Sequence, residues 1–576
     1  MLNLDQHLFV EMKRFSAFRT GRKSAGMTTE KSKFGILKMV SRYNKMVIRK
    51  LFLIIVMLLL DHGMGSAQQS NLCINEFMAI NVLTYENRNG GYEDWIEIYN
   101  SSTSPIDLAG YHLADNLAGG NPWQIPFGQQ TKTTIPANGF LVLIVDGHPE
   151  LGADHLDFKL GSTSGQIVLL NSNLTSILDS VSYGLQFRDV SYGRSPDGGR
   201  QWMYMSNSTP GVSNQSGYIG FVLPPTIDQS SGYYQNITIS IQAATIGDTI
   251  RYTLDGSDPI ETSSLYLQPI NITQTSILKV RAFRTGVLPS QIITKTFYTT
   301  SHDLPVLAII TDPKNLFDPS TGIYTHDYDG RAWERFGEIE FFDNQSLAFH
   351  IPVGLRIQGN TGPKDFDKKS FRAYLRSGYG QERLNYQICP TNPVTSFSRL
   401  VFRSGYDDSM EPANDGSNAT ATLLRDPIVT TLWKKIGGLG SSGRFAVCYL
   451  NNNYYGIYEV KESVDENFIY DHLGFLDVDL IRTRWDSLET VYGDKTHWNE
   501  LVSFFQNNSF TADAKIDEAS RFLDLDNFIN LQALVHATQY RSWAYGASIF
   551  REKVTSAPWQ WTIWDADRTF IDVNWN

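Results

Sequence analysis

The chain has 576 residues, enough for about three or four domains, because single hydrophobic cores seldom grow past roughly 250 residues. Hydrophobic residues make up 41%, aromatic residues 12% and charged residues 19%, a globular composition that excludes disorder as the main state. The formal net charge is −11, and residues 1–67 hold 12 Lys/Arg against 4 Asp/Glu, so the remaining chain carries −19. Such an acidic chain excludes a nucleic-acid partner held by phosphate neutralisation, which needs a basic surface.

The N-terminal extension, residues 1–67, ends in a predicted signal peptide. Arg49 and Lys50 precede the apolar run LFLIIVMLLL, and the small residues Gly65 and Ala67 follow it. This order predicts secretion with cleavage after Ala67. The run is too short to cross a bilayer, which needs about twenty residues. We therefore expect a secreted or cell-surface protein without a transmembrane helix in the mature chain, with a membrane anchor or a buried strand as the alternative for this run.

The cysteines and histidines give no support to a metal hydrolase. Cys73, Cys389 and Cys448 are too few for a disulfide framework or a clustered zinc site. At most one bridge is possible, between Cys389 and Cys448, and free thiols are the favoured interpretation. The histidines show no His-Glu-x-x-His spacing.

Residues 71–205 consist of short alternating apolar runs separated by turn residues. The runs include WIEIY (95–99), FLVLIV (140–145) and QIVLL (166–170). This pattern predicts an antiparallel β-sandwich. The phrases that resemble the lamin-tail domain, an immunoglobulin-like module, are INEFMA (74–79), DWIEIYN (94–100), IDLAGY (106–111) and SYGRSPDG (191–198). The resemblance implies a role in binding or spacing.

Residues 221–299 form a second β unit. Its clearest phrase, RYTLDGSDP (251–259), is a strand that enters an Asp-Gly turn, and ILKVRAF (277–283) is a further strand. The segment resembles the β-sandwich at the C-terminus of chitobiases and β-hexosaminidases, which is not catalytic. Asp255 and Asp258 are candidate calcium ligands, although turn chemistry is the favoured interpretation.

Residues 303–576 change in pattern and predict a mixed α+β domain. LPVLAII (304–310) is typical of a buried strand, whereas residues 424–436, 501–505 and 525–540 have apolar positions at helical spacing. Asp524 and Asp526 are predicted to cap the last of these helices rather than to act in catalysis.

Two constellations in this region suggest phosphate chemistry. GLRIQGNTG (354–362) is a strand with a glycine-rich turn, and KKSFR (368–372) adds cations that would neutralise phosphate oxygens, although a hairpin with a basic end has the same pattern. In YYGIYEVKESVD (454–465), alternation places Glu462 on an inward face. A buried carboxylate needs a partner, and Lys369 or Arg372 would serve.

A third constellation is WQWTIWDADR (559–568), a tryptophan-rich strand that leads to two carboxylates. Asp565 and Asp567 are at positions i and i+2, so their side chains lie on the same side and suit a hard cation such as magnesium. Asp-x-Asp is also common in turns, which is the alternative.

Taken together in this order, the three constellations resemble the CotH family of atypical secreted or spore-surface protein kinases. The matching phrases are GLRIQGNT (354–361), KKSFR (368–372), LRDP (424–427), YGIYEVKE (455–462), DLDNFI (524–529) and WDADRTF (564–570). The implied fold is multidomain, with two all-β (immunoglobulin-like) sandwiches followed by an α+β atypical kinase-like domain. The implied activity is transfer of the ATP γ-phosphoryl group to a protein serine or threonine hydroxyl.

The resemblance also implies roles for particular residues. Lys369 would bind phosphate and pair with Glu462, and Asp565 would hold Mg²⁺ with Asp567 beside it. The residues that would line the ATP are Arg356, Gly359, Asn360, Thr361 and Arg372.

Two departures from the family pattern count against activity. CotH proteins usually show an Asp and then an Asn before the last strand, as catalytic base and second metal ligand. Residues 537–550 contain no carboxylate, and Arg541 and Gly546 stand at those two positions. The chain also ends six residues after Phe570, earlier than is usual for the family, so we expect a truncated domain.

The alternative function is a pseudokinase scaffold or an adhesive cell-surface protein. Its partners would be a protein or an envelope component, with a glycan or protein ligand on the β-sandwich modules. A kinase requires Lys369, Glu462 and Asp565 to converge on one cleft, whereas an adhesin does not.

Overall fold

The computed structural model describes residues 70–116, 122–325, 330–359, 367–405, 408–409, 421–484, 487–508, 513–554 and 557–570. Asn71–Asn576 form one compact unit. The predicted signal peptide, Asn360 and Thr361 lie outside the described residues. Within those ranges, no helix combines the length and apolar character that membrane crossing requires.

The first module is all-β, as its alternating pattern predicts. Its elements are β1 (Leu72–Met78), β2 (Trp95–Asn100), β3 (Ile106–Asp107), β4 (His112–Ala114), β5 (Trp123–Gln124), α1 (Gln130–Thr133), β6 (Thr134–Ile135), β7 (Gly139–Ile144), a 3-10 turn (Pro149–Leu151), β8 (Gly165–Leu170), β9 (Ile177–Tyr183), β10 (Ser191–Arg194) and β11 (Trp202–Met205). One sheet has the order β11-β10-β1-β2-β7 and another the order β5-β4-β8-β9. Phe77 and Leu169, one from each sheet, are fully buried in a shared core. This is the sandwich arrangement of an immunoglobulin-like module.

The second module is also built of short strands. They are β12 (Thr226–Ile227), β13 (Gly232–Tyr233), β14 (Ile237–Ile239), β15 (Ile241–Gln242), β16 (Thr249–Thr253), β17 (Ser264–Leu265), β18 (Ile270–Ile272), β19 (Ser276–Phe283) and β20 (Ile293–Tyr298). The main sheet has the order β13-β20-β19-β16-β17. In the predicted turn, Asp255 accepts hydrogen bonds from the backbone and hydroxyl of Ser257, and Asp258 pairs with Lys279 at 2.7 Å. These contacts fit the turn interpretation of the two aspartates.

A barrel begins the C-terminal region. The elements up to its last strand are β21 (Val306–Ile310), α2 (Pro313–Phe317), a 3-10 turn (Arg331–Trp333), β22 (Arg335–Asp343), β23 (Ser346–Gln358), β24 (Ser370–Tyr374), a 3-10 turn (Ser377–Tyr379), β25 (Leu384–Asn385), β26 (Ser396–Phe397), β27 (Arg399–Arg403), α3 (Arg425–Lys435), β28 (Leu439–Gly440), β29 (Gly443–Leu450) and β30 (Asn453–Glu462). The barrel closes in the order β21-β22-β23-β24-β27-β30-β29. Its interior is filled by apolar side chains such as Phe371, Phe402 and Val460.

An α/β layer follows the barrel. Its elements are α4 (Glu466–Leu473), β31 (Val478–Arg484), β32 (Ser487–Tyr492), α5 (Thr496–Asn507), α6 (Asp513–Ala519), α7 (Leu525–Thr538), α8 (Trp543–Gly546), β33 (Ser548–Glu552) and β34 (Gln560–Ile563). The sheet has the order β28-β34-β33-β31-β32, so β28 joins it from the barrel segment. Trp433 of α3 and Trp559 before β34 share its core. The predicted order of two all-β modules followed by an α+β region is therefore confirmed.

The predicted capping role of Asp524 is also confirmed. Its carboxylate accepts a hydrogen bond of 2.9 Å from the backbone N–H of Asn527 at the start of α7, and a second of 3.0 Å from Gln560. The side chain therefore satisfies a backbone donor that the helix leaves open.

Candidate functional site

Alternation along the barrel strands separates an apolar interior from a charged outer face. On β27 and β30, Phe402 and Val460 point into the core. Their neighbours Arg403 and Lys461 therefore lie on the outside of the barrel wall, because successive side chains of a strand point to opposite faces. Glu459, which pairs with Arg403 in the register of the two strands, lies on the same outer face.

Charged side chains from four segments meet there. We call this group the ionic cluster, and its members are Arg403, Asp426, Lys461, Asp565 and Asp567. Arg403 Nη1 lies 3.0 Å from Asp426 Oδ1, and Arg403 Nη2 lies 2.9 Å from both Asp565 Oδ1 and Asp567 Oδ2. Lys461 donates to the second oxygen of Asp426. Two cations thus hold three carboxylates in a small volume.

The elements of both layers position the cluster. Arg403 ends β27, Lys461 lies near the end of β30, and Asp426 lies in the first turn of α3. Asp565 and Asp567 follow β34, and the backbone N–H of Ala566 between them donates to Asp426 at 2.8 Å. The cluster therefore joins the barrel wall to the α/β layer.

The backbone at Asp565 is unusual. Its φ of +66° lies in the left-handed region, which favours glycine. Residues in this region cost energy and persist only where the surrounding contacts fix them, which happens often at functional sites. The hydroxyl of Tyr540 donates to the carbonyl of Trp564, and this contact together with the bond to Arg403 holds the segment in place.

Burial and charge set the protonation of the cluster. Burial alone would raise the pKa of Asp426, but the charges of Arg403 and Lys461 outweigh it and hold that pKa well below its usual value. Burial would lower the pKa of Arg403, but the surrounding carboxylates raise it well above its usual value. For Glu459, burial prevails over the attraction of Lys461 and raises the pKa. The surroundings therefore favour the charged forms of Asp426 and Arg403, whereas burial favours the neutral form of Glu459.

A narrow cleft with a volume of about 20 Å³ lies beside the cluster. Its lining residues come from the barrel wall, from α3 and the segment before it, and from the segment after β34. They include Arg403, Asp408, Leu423, Asp426, Glu459 and Asp567. Asp565 reaches solvent with 48% of its side chain exposed, whereas Asp567 is only 2% exposed. Asp565 is thus the carboxylate of the cluster that an incoming molecule can meet.

Lys369 lies on a different side of the wall from the ionic cluster. Its Nζ is 5.3 Å from the centre of the Tyr324 ring, and Tyr324 packs against the barrel core. The carbonyl of Lys369 accepts a hydrogen bond of 2.7 Å from Tyr458. Tyr458 precedes Glu462 by four residues on β30, which is on the order of 13 Å along a strand. A pair between Lys369 and Glu462 therefore stays a prediction that this geometry does not support.

Glu462 has other partners. Its carboxylate accepts hydrogen bonds of 2.6 Å from the backbone N–H of Ser442 and 2.9 Å from His472. The inward direction that alternation predicts for Glu462 agrees with the interior positions of Tyr458 and Val460. At the end of the strand this direction leads to α4 and not to a lysine.

Arg356 is held by a second group of charges on the outer face. The carboxylate of Glu334, which is fully buried, lies 2.9 Å from Arg356 and 3.0 Å from Arg376. Burial would raise the pKa of Glu334, but hydrogen bonding and the charges of these arginines lower it. A Cβ on Gly354 would lie 2.2 Å from the Glu334 carboxylate, so this position requires glycine. Arg356 is therefore already committed to an internal ion pair.

Arg372 and Gly359 complete the predicted nucleotide-binding set. Arg372 on β24 lies opposite Arg356 on β23 in the strand register. Its Nη1 donates to the Tyr374 hydroxyl at 3.1 Å. Gly359 follows β23 with φ of +124°, which allows the sharp turn expected there. Asn360 and Thr361 lie outside the described residues.

The loop that lacks the expected carboxylate lies directly beside the cluster. A Cβ on Gly546 would lie 3.6 Å from the Cβ of Asp565, and the backbone N–H of Arg541 donates to the carbonyl of Arg568 at 3.3 Å. The position assigned to the second metal ligand is thus next to Asp565, although glycine provides no ligand atom.

The sequence interpretation missed Arg403, Asp426 and Lys461. Lys461 stands next to Glu462 in the quoted motif, and the alternation that turned Glu462 inward also placed Lys461 outside. Asp426 lies in the quoted phrase LRDP, at the start of helix α3. Its partners lie on strands distant in sequence, so the local pattern does not predict them. Arg403 had a weaker signal in the sequence, namely the run RLVFR, which has an arginine at each end.

The donor set fits a magnesium ion that is shared with a phosphate ligand. Asp565 and Asp567 both approach one nitrogen, so their oxygens converge on a single point of positive charge. Magnesium usually takes one or two protein carboxylates and completes its shell with phosphate oxygens and water. In the described part of the chain, no group of three or more His, Cys, Asp and Glu side chains is placed to hold a metal. Asp565 and Asp567 are therefore the residues that would hold such an ion.

Comparison with known proteins yields three family matches. Residues 355–575 match the family described as CotH kinase protein, residues 65–185 match Lamin Tail Domain, and residues 239–297 match Fn3 associated. No curated protein matches the chain. Among solved structures, the crystal structure of murine CEACAM1b aligns at 10% identity over 39% of this chain and 99% of that chain, with a TM-score of 0.14.

Proposed function

Because residues 355–575 form a CotH-family region, we propose that it is a kinase-like domain that binds ATP with magnesium and transfers phosphate to protein serine or threonine hydroxyls. The observation that supports this proposal is that Asp565 and Asp567 converge on the guanidinium of Arg403 beside a cleft. When bound, magnesium would neutralise charge on the phosphate oxygens. Catalysis of phosphoryl transfer depends mainly on such charge neutralisation and on positioning of the reactants.

In this proposal the lysine–carboxylate pair consists of Lys461 and Asp426. Lys461 is 1% exposed and donates to Asp426, which holds the ammonium at the cluster. Lys461 therefore orients positive charge towards the site where phosphate oxygens would lie. Lys369, which the family resemblance favours, lies over Tyr324 on the inner side of the wall.

Asp567 and Asp565 have separate roles in this scheme. Asp567 is buried, so it would hold the metal away from competing water. Asp565 is half exposed, so a substrate hydroxyl can approach its carboxylate, which would hold the metal and orient the hydroxyl.

A second candidate function is a pseudokinase scaffold. It is favoured by the absence of any carboxylate from residues 537–550 and by Gly546, which offers no ligand beside Asp565. In that case the region would bind a protein or envelope component together with the β modules. Secretion through the predicted signal peptide belongs to both proposals.

Thermal unfolding of the full chain with ATP, with and without magnesium, separates the two. A nucleotide at a hundred times its Kd stabilises a protein by about 2.7 kcal/mol. We expect a magnesium-dependent rise in Tm that is lost in Asp565→Ala and kept in Asp303→Ala, a control at an exposed aspartate. The absence of a shift at millimolar ATP would favour the scaffold. Lys461→Met should weaken ATP binding more than Lys369→Met does.

A further inference from the structure

The point between Asp565 and Asp567 is filled by a side chain of the protein itself. Arg403 is 8% exposed, and its guanidinium contacts three carboxylates from two segments of the chain. We infer that Arg403 is an internal counter-ion that competes with a divalent cation for Asp565 and Asp567, so that the metal binds only when the guanidinium leaves. The inference rests on the proposed function and adds a regulatory step to it.

The guanidinium and the metal exclude each other by distance. Arg403 Nη2 lies 2.9 Å from the nearest oxygen of each aspartate. Magnesium binds carboxylate oxygens at about 2.1 Å, so an ion that took the place of the guanidinium between them would sit in contact with that nitrogen. Two positive charges at such a separation repel strongly in a site with little water. One of them therefore has to move.

Arg403 has a second acidic group within its surroundings. Glu459 is its direct partner across β27 and β30, and both residues line the same cleft. The Glu459 carboxylate is 9% exposed, and the ion pair it makes with Lys461 is a long one of 3.9 Å. Rotation of the Arg403 side chain in the cleft would exchange its contacts with Asp565 and Asp567 for one with Glu459.

The charge balance is consistent with such an exchange. In the ionic cluster and at the adjoining Glu459, the carboxylates of Asp426, Glu459, Asp565 and Asp567 face the cations of Arg403 and Lys461. With all of them ionised, the group carries two uncompensated negative charges. A divalent cation would supply the missing positive charge once Arg403 has turned to Glu459.

Manganese alone tests the inference, because its binding can be followed by the electron paramagnetic resonance signal of free Mn²⁺ without nucleotide or activity. In the full chain, Arg403→Gln should bind Mn²⁺ at least about tenfold more tightly than wild type, since one charge-assisted contact is worth at least that factor. Arg399→Gln is the matched control. Arg399 lies on the same strand and face but pairs with Asp465 at 3.2 Å, so its loss should leave Mn²⁺ affinity unchanged.

If Arg403→Gln does not fold, Arg403→Lys carries the test. A lysine keeps the charge but lacks the planar fork that bridges carboxylates, so it should tighten Mn²⁺ binding by a smaller factor. Equal or weaker affinity in both Arg403 variants, with wild-type binding that Asp565→Asn abolishes, would overturn the inference and leave the proposed metal site intact. No Mn²⁺ binding by any of these proteins would overturn both.

Discussion

Two pairs of buried carboxylates, one pair at each end of the molecule, are neutralised in different ways. In the first module, Glu76 and Glu97 are fully buried and accept hydrogen bonds from hydroxyl and amide groups. In the C-terminal region, Glu334 and Asp426 are held by arginine and lysine. Hydrogen bonds from neutral donors only partly offset the burial of Glu76 and Glu97, so both pKa values are raised. An acid held by a cation can instead exchange that cation for another. The chemistry proposed above therefore belongs to the C-terminal region.

The pKa shifts of Glu97 and Asp426 point in opposite directions. Burial raises the pKa of Glu97 to about 8, because the hydrogen bonds from Asn75 and Gly211 only partly offset it. In Asp426, the charges of Arg403 and Lys461 outweigh burial, and the pKa is lowered. Proton uptake thus stabilises the folded first module, while it weakens the folded ionic cluster.

The largest effect on stability should come from Asp426→Ala. The substitution leaves Arg403 and Lys461 buried without the carboxylate between them, and breaking a buried pair in this way costs about 3–5 kcal/mol. Urea unfolding of the full chain measures this cost. Asp471→Ala, which removes a more exposed partner of Arg383, is the control and should cost about 1 kcal/mol or less. A similar loss in both variants would remove the distinction between the regions.

A smaller effect on stability is expected for the first module, and this effect depends on pH. Because the folded pKa of Glu97 lies above its unfolded value of 4.5, the folded state binds more protons between about pH 4.5 and 8. Stability should therefore fall as pH rises through this range, because the folded state loses its bound proton. Hydrogen exchange of β1 and β2 amides across this range measures it. Glu97→Gln should flatten the dependence, and an unchanged slope in that variant would assign it to another group.

The smallest effect is expected for Gly546→Asn. An amide oxygen at this position would lie beside Asp565 and could add a ligand for the metal. We expect Mn²⁺ affinity to rise a few-fold, as measured by calorimetry. Gly546→Ala adds the Cβ without the oxygen and should leave the affinity unchanged. A gain of equal size in Gly546→Ala would show that backbone restriction, not ligation, is responsible.

Local pattern was sufficient for the modules but not for the pairing of distant charges. Period-2 alternation predicted the first β module, and a strand that enters an Asp-Gly turn predicted the second. The residues before α7 predicted the cap at Asp524. Asp565 and Asp567, two residues apart on one segment, do meet the same cation. These features depend on neighbours in sequence, where strand and helix geometry fixes which side chains share a face.

The partner of those aspartates could not be derived in the same way. Alternation on β30 turned Glu462 and Lys461 to opposite sides, and only the closed barrel decides which side faces α3. Arg403 reaches the cluster because β27 pairs with β30. Such long-range pairings depend on barrel closure and on side-chain rotamers, and neither is encoded in a short stretch of sequence.

The central claim is that Asp565 and Asp567 together hold the metal of a bound nucleotide. Its most direct test is the anomalous signal of manganese in crystals of the full chain grown with Mn²⁺ and a non-hydrolysable ATP analogue. The account predicts a manganese peak at ligand distance, about 2.1–2.3 Å, from carboxylate oxygens of both residues, with Arg403 turned towards Glu459. A nucleotide whose metal lies elsewhere, with Arg403 still bound to both aspartates, would contradict it.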